Sequence, residues 1–471
     1  MIRLLDMKGF VTRLANALAS GATARRATLV LVFLYLTTAR TWGIGDTFWL
    51  LGDQIRDWRI ALLPFDELPL TGAPSSVGGV GLGPIYYWTL WVWRIAIGPL
   101  VNNLPHAGGI GLSLMQSAAD CVLLAAVWKK SGSGATAVAL TLLLATSPLD
   151  MALSATIWNP ILAVVFVKLT LALLLLAPSR PSIGWAVATT ATGWLAVQAH
   201  ATAIFVAAPA IGAFVIAECA VRSWKGALQR ASASIGVVLL LQVPFILHLT
   251  LSGSAEPVGP TAVIGQVSAT AVAPDTIRVA DAFLAIASAT GLILLQPWNP
   301  AGTAVVLSIA LALAAYRCRD DLMLASASVF PVVAAAMGFA FWQLDYDQYW
   351  FLTLMPSILL VLWSALTARP RAVPFVGVAL VMVAVAAQPS RILDAHTVAR
   401  LPAYGALAQG SAQIYRYTRE VTEIRVEFEL DPTTDRDFLY SILGGRVTPD
   451  ADFRASISPE GDVAFTAAPQ P

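Results

Sequence analysis

The feature that most constrains this chain is a succession of apolar runs, many close to the roughly 20 residues that a helix needs to cross a hydrocarbon core, joined by short connections. In lipid every backbone polar group must be satisfied within its own segment or barrel, so runs of this length specify helices. The expected fold class is an all-α polytopic membrane protein. Composition agrees: 57% of the 471 residues are hydrophobic and 12% charged, with a mean hydropathy of +0.72, too apolar for an ordinary soluble domain. A net charge of +1 leaves no concentrated basic face for nucleic acid. Cys121, Cys219 and Cys318 form no CxxC or Cys/His spacing and are expected to be buried and reduced.

Alternate connections carry Arg or Lys, which places them in the cytoplasm. The resulting trace has about eleven spans, at 27–42, 109–128, 135–147, 157–177, 185–197, 202–221, 235–251, 301–316, 322–341, 351–366 and 373–387. The N-terminal segment has no cleavage pattern, so the first span is expected to be retained. The aromatic segment 84–101 is not counted as a span, because that would put Lys129 and Lys130 outside. With Arg94 in its middle, it suits a helix lying in the interface. Residues 282–296 are likewise interfacial or re-entrant. This trace puts the first large loop, 43–107, on the outer face of a bacterial inner membrane, with the N-terminus cytoplasmic and the C-terminus periplasmic. Residues 1–388 form the membrane domain. Residues 389–471 hold twelve acids and eight Arg and no spanning run, which marks a small soluble α+β domain. Ile424 to Leu430 alternates as a strand, and DFRASIS-PEG-DVAFT reads as a hairpin.

Chemistry concentrates in GIGDTFWLLGDQIRDW. Asp46, Asp53 and Asp57 are spaced by seven and four and share one helical face. Phe48, Leu51 and Ile55 occupy another, suited to lying on the membrane while the acids face a polar cleft. A carboxylate there can act as a general base or hold a cation; alternatively Asp46 caps a helix beginning at Thr47 and the other acids are solvated. No cofactor is required, although a divalent metal is compatible, with Asp46 its candidate ligand. Arg56, Arg59, Arg94 and Arg278 are the outer cations available to an anion. Tyr86, Asn159, Gln198, His200, Asp345, Asp347 and Tyr349 fall on the same side. Asn159 can bond a sugar hydroxyl or cap the helix before Pro160; His200 can bind phosphate or sugar, or be a satisfied structural group. Lys168 is the one charge placed deep in a span, either functional or else snorkelling or paired with a carbonyl.

An inward-starting first span, Asp46 opening a juxtamembrane helix, and a Gly/Pro-rich stretch ending in G-P-I-Y-Y-W resemble the first outer loop of GT-C-fold glycosyltransferases. The similar branch contains protein O-mannosyltransferases, aminoarabinose transferases to lipid A and related lipopolysaccharide-sugar transferases. FWQLDYDQYWFLTLMPSILLVLW resembles the late outer loop of that branch, with Tyr349 and Pro356 in matching places and Gln348 where Arg is usual. Two departures stand out: Thr47 follows Asp46 where an acid is usual, and LTGAPSSVGGVGLGP lacks the lysine of relatives. The resemblance implies inverting transfer of a sugar from a polyprenyl-phosphate donor to a lipid, glycan or protein acceptor, with Asp46 as catalytic acid or base. Two rival readings are a lipid or lipid-linked-sugar transporter (flippase) and an O-antigen-type polymerase or ligase. The first should show related halves or broken helices, and the second a large late loop rich in Arg and His.

Overall fold

The computed structural model describes residues 22–44, 48, 52–74, 82–101, 104–179, 181–251, 276–291, 300–341, 348–367, 425–428, 453–458 and 462–467. Helix α1 (Ala22–Thr41) leads to two short helices of the first loop, α2 (Gly52–Ala61) and α3 (Ile85–Ile97). Then follow α4 (His106–Ser131), α5 (Gly134–Ala145), α6 (Pro148–Ser154), α7 (Asn159–Leu176), α8 (Ile183–Ala199) and α9 (Ile204–Ala220). The later helices are α10 (Trp224–Leu241), α11 (Val243–Leu251), α12 (Thr276–Thr290), α13 (Pro300–Cys318), α14 (Leu322–Ala327), α15 (Val329–Phe341) and α16 (Met355–Leu366). A 3-10 helix, Gln348–Leu354, precedes α16. In the tail, β1 (Arg425–Phe428) pairs parallel with β2 (Phe453–Ile457), and β2 pairs antiparallel with β3 (Val463–Ala467), so the expected strand and hairpin are present.

Local sequence explains the helix ends. Gly132, at φ +68°, stops α4 behind Lys129 and Lys130, which complement the C-terminal dipole. Ser133, Ser147, Ser223 and Asp321 each accept a backbone N–H at the start of the next helix. Helix α4 packs along α7, α7 along α8, and α8 against α9 and α10; α12 lies against α13 and α15, and α13 against α16. Large residues from the loop helices and the bundle share one apolar core.

Among the described residues, four helical segments are long and apolar enough to cross a membrane: His106–Ser131, Asn159–Leu176, Ala201–Ala220 and Ala301–Cys318. The pair α10 and α11 makes a fifth, bent by 49°, so the straight run expected at 235–251 is replaced by a pair that starts eleven residues earlier, at Trp224, and bends between Leu241 and Val243. The run expected at 135–147 ends at Ala145 and resumes as α6, and that at 322–341 is interrupted at Ser328. Residues 373–387, expected to form the last span, lie outside the described residues. The aromatic segment forms α3 as expected, burying Tyr86, Tyr87 and Leu90 while exposing Val92 and Ile95. Cys318 is buried, but Cys121 and Cys219 are half-buried, free thiols.

The basic connections gather at one end. Arg25 lies 5.1 Å over the Trp128 ring, Lys130 pairs with Asp321 at 2.6 Å, and Arg230 pairs with Glu218 at 2.8 Å. At the opposite end, glycines let the loop helices sit directly on α4. A Cβ on Gly109 would run into the carbonyl oxygen of Ala155, and one on Gly108 would meet Ile157 and Trp58 at 3.0 Å. Gly109→Ala is therefore expected to destabilise the protein by about 1–3 kcal/mol, the range for overpacking a fixed backbone contact. Thermal unfolding in detergent checks this against Gly236→Ala, where open space surrounds the added methyl and the substitution is expected to stabilise by up to about 1 kcal/mol.

Candidate functional site

Helix α2 is held by its apolar side. Trp58 and Ile55 are buried, and Phe48 packs edge-on against His106 with ring centroids 4.7 Å apart. This corrects the expectation that Phe48 and Ile55 lie on the membrane: they enter the protein core, Phe48 beside Gly109 at the start of α4, while Leu51 lies outside the described residues. Helix α3 closes against α2, with the Arg94 guanidinium donating to the carbonyl of Leu62 and lying 5.9 Å from the Trp91 ring centre. Arg94, considered as an anion ligand, is thus a tie between the two loop helices.

The acids of α2 do not share one environment. Asp53 is 70% exposed, whereas the Asp57 side chain is 1% exposed and bridged to Asp53 through Arg56. Arg56 reaches Asp57 Oδ1 at 2.8 Å and Asp53 Oδ1 at 3.0 Å, and Tyr87 donates its hydroxyl to the same Asp57 oxygen at 3.1 Å. Asp57 Oδ2 and the Tyr86 hydroxyl are buried and have no hydrogen-bond partner among the described residues. Burial outweighs the Arg56 guanidinium and pushes the Asp57 carboxyl up to about 6; the same burial raises Tyr86 and Tyr87 well above the usual phenol range. Asp57 is therefore not a solvated carboxylate.

The sign of the pH effect follows from linkage. A carboxyl whose folded pKa exceeds its unfolded value favours the folded state most at low pH, and that contribution is lost as pH rises from about 4 to about 6. The wild-type melting temperature is expected to contain a decline across this window that is missing in Asp57→Asn. Parallel melting curves at pH 4, 5, 6 and 7 test it.

The turn between α8 and α9 lies at the same end. Gln198 donates to the carbonyl of Leu241 at 2.7 Å, and Gly83 of the first loop sits so close to its carboxamide that an added Cβ would displace it. Asn159 Nδ2 donates to the carbonyl of Ala199 at 3.0 Å, joining the start of α7 to the end of α8. It makes no cap, since Trp158 is the cap residue and no side-chain capping bond forms. His200 Nδ1 lies 2.7 Å from Thr202 Oγ1, which lies 3.0 Å from Thr353 Oγ1 in the 348–354 helix. Burial pushes His200 down to about 4, so at neutral pH its ring is uncharged and offers hydrogen bonds rather than a cation. These contacts bring the first loop, Asn159, Gln198, His200 and the backbone of the segment carrying Tyr349 to one end of the bundle. Arg59 lies in the last turn of α2. Asp46, Asp345 and Asp347 lie outside the described residues. Among the described residues no three His, Cys, Asp or Glu side chains converge as a metal site.

Sequence reasoning missed a buried charge network. Lys168 of α7 is ion-paired with Asp120 of α4 at 2.7 Å and also donates to Gln116 Oε1 at 2.8 Å. The other Asp120 oxygen meets Arg40 of α1 at 2.7 Å, and Arg40 also meets Asp150 of α6 at 2.8 Å. Arg40 further donates to Ser117 Oγ and to the carbonyl of Ala145. Lys168 is thus paired, and it is not the one deep charge. The readable signal was Asp120 itself, an acid at mid-length in an apolar helix of opposite charge partner to Lys168.

No family model and no curated protein matches the sequence. Among solved structures, ArnT from Cupriavidus metallidurans bound to undecaprenyl phosphate aligns over 91% of this chain and 86% of its own, at 14% identity and a TM-score of 0.54. An apo structure of the Archaeoglobus fulgidus oligosaccharyltransferase aligns over 90% of this chain and 64% of its own, at 14% identity and a TM-score of 0.45. The chain thus shares its overall fold with ArnT, in a multi-pass membrane protein.

Proposed function

We propose that the chain transfers a sugar from a polyprenyl-phosphate donor to a lipid, glycan or protein acceptor at the outer face of the inner membrane, with inversion. The observation that carries this reading is the fold, aligned along 91% of the chain with a structure that holds undecaprenyl phosphate. Asp46 takes the proton of the acceptor hydroxyl as its oxygen bonds to the anomeric carbon; the bond from that carbon to the phosphate oxygen breaks, and polyprenyl phosphate leaves. An alcohol is too weak an acid to attack unaided, which is why a carboxylate base is needed. Arg56, Arg59, Tyr86, Asn159, Gln198, His200 and Tyr349, with Asp53, Asp57, Asp345 and Asp347, form the surrounding cleft.

An entirely apolar groove of about 380 Å³ between α12, α13 and α15, lined by Val279, Phe283, Leu311, Val332, Val333 and Met337 among others, suits the isoprenoid chain. The 348–354 helix packs on α12 and α15, so a chain in this groove runs toward the late loop. In nanodiscs, protein given a panel of radiolabelled polyprenyl-phosphate sugars and membrane-extract acceptors is expected to release polyprenyl phosphate in step with labelled product. Absence of transfer with every donor, together with lipid movement across liposomes, would establish the transporter reading instead.

A further inference from the structure

The network of Arg40, Asp120, Asp150 and Lys168 sits where a membrane helix is broken. At 12 residues, α5 is only about 18 Å long, too short for a 30 Å core. Its end at Ala145 and the start of α6 at Pro148 leave orphan backbone groups inside the protein. Arg40 supplies a donor to the Ala145 carbonyl, Ser147 accepts the Asp150 amide, and the Asp150 carboxylate occupies the first turn of α6, where a negative charge is favoured. Arg40 itself lies in the last turn of α1, immediately before the first loop. Asp120 holds Arg40 from one side and is held by Lys168 from the other. The four charges sum to zero and all are nearly inaccessible to water.

What the network holds is the footing of the candidate site. From Asp150, α6 runs toward the first-loop end of the bundle. Ser113 of α4 donates to the carbonyl of Ser154 at 3.0 Å, the Ala155 carbonyl presses on Gly109 beside Phe48, and Ile157 presses on Gly108 beside Trp58. Trp58 follows Asp57, the residue that binds Arg56 and Tyr87. A shift of α6 therefore moves the surface on which α2 rests.

We infer that Asp150, clamped through Arg40 and Asp120, is a positioning residue for the first-loop site: it sets the depth of α6 and thereby the seat of α2. This rests on the transferase reading for its kinetic part only. Apolar side chains of the same volume would make a firmer core, but they lack the directional bonds that fix one helix end against another.

Asp150→Asn leaves Arg40 paired with Asp120 and is chosen to preserve the fold; Asp150→Glu restores the charge. Hydrogen–deuterium exchange of residues 52–61 in nanodiscs, which needs no donor, is expected to rise at least threefold in Asp150→Asn relative to exchange in α7, and to return toward wild type in Asp150→Glu. In the transfer assay kcat should fall about tenfold with the donor KM within twofold. A folded Asp150→Asn protein with unchanged α2 exchange overturns the inference, whether or not sugar transfer is found. Should Asp150→Asn fail to fold, Asp150→Glu and Arg40→Lys carry the test: Lys keeps the charge but loses the planar guanidinium, whose Nη2 meets both carboxylates while Nη1 reaches Ser117. Unaltered α2 exchange in folded Arg40→Lys overturns it equally.

Discussion

Asp46→Asn is expected to lower kcat for sugar transfer by about 10²- to 10⁴-fold, the usual contribution of a general base, while the donor KM changes less than threefold. In barrier terms this is about 3–5 kcal/mol. The substitution separates the two roles open to Asp46. Asn is as good a helix cap as Asp, so a helix-capping residue would tolerate it, whereas an amide cannot accept the acceptor proton. Single-turnover transfer at saturating donor is the measurement, and undiminished turnover would remove Asp46 from the base role. Asp57 does not substitute for it, because its carboxylate is buried and already bonded to Arg56 and Tyr87.

The largest stability effect is expected at Asp120. Asp120→Leu strands Lys168 with only the Gln116 carbonyl oxygen and leaves Arg40 half-compensated. Breaking a buried ion pair from one side costs about 3–5 kcal/mol, mostly because the remaining charge has lost its partner. Removing both, in Asp120→Leu with Lys168→Leu, should recover most of that loss, since two desolvated charges are exchanged for apolar packing while Arg40 keeps Asp150. Denaturant or thermal unfolding of the two variants in matched detergent measures the difference. Equal destabilisation of the single and double variants would show that shape, not charge, governs this site.

Much of the helix order was legible because hydropathy and the side of each Arg or Lys report on the same physical quantity, the cost of placing a group in hydrocarbon. That logic read 84–101 as a helix of the first loop, where the structure has α3 at Ile85–Ile97, and grouped the basic connections on one side, where Lys130 meets Asp321. It was blind to helix interruptions. The breaks after Ala145 and before Val329 occur inside apolar stretches, where Ser147 and Ser328 look like ordinary tolerated polar residues. At the site, the acids of α2 were recognisable from spacing, but their unequal burial was not, because it depends on Gly108 and Gly109 admitting Trp58 and Phe48 from a distant segment. The charge network was illegible for a similar reason: Arg40, Asp120, Asp150 and Lys168 are spread over 128 residues, and only tertiary packing makes them one object.

That spread has a consequence for how the protein is made. Helices α1, α4, α6 and α7 are made in sequence order, so Asp120 is synthesised 48 residues ahead of Lys168. An acid at the centre of a helix costs about 2.5–3.5 kcal/mol on insertion, and α4 carries that cost until its partners arrive. Its entry into the bilayer is therefore provisional, held by its apolar residues and by Arg40, until α7 is threaded alongside. Biogenesis of this chain is then a matter of co-insertion: α4 and α7 become committed to the membrane as a pair.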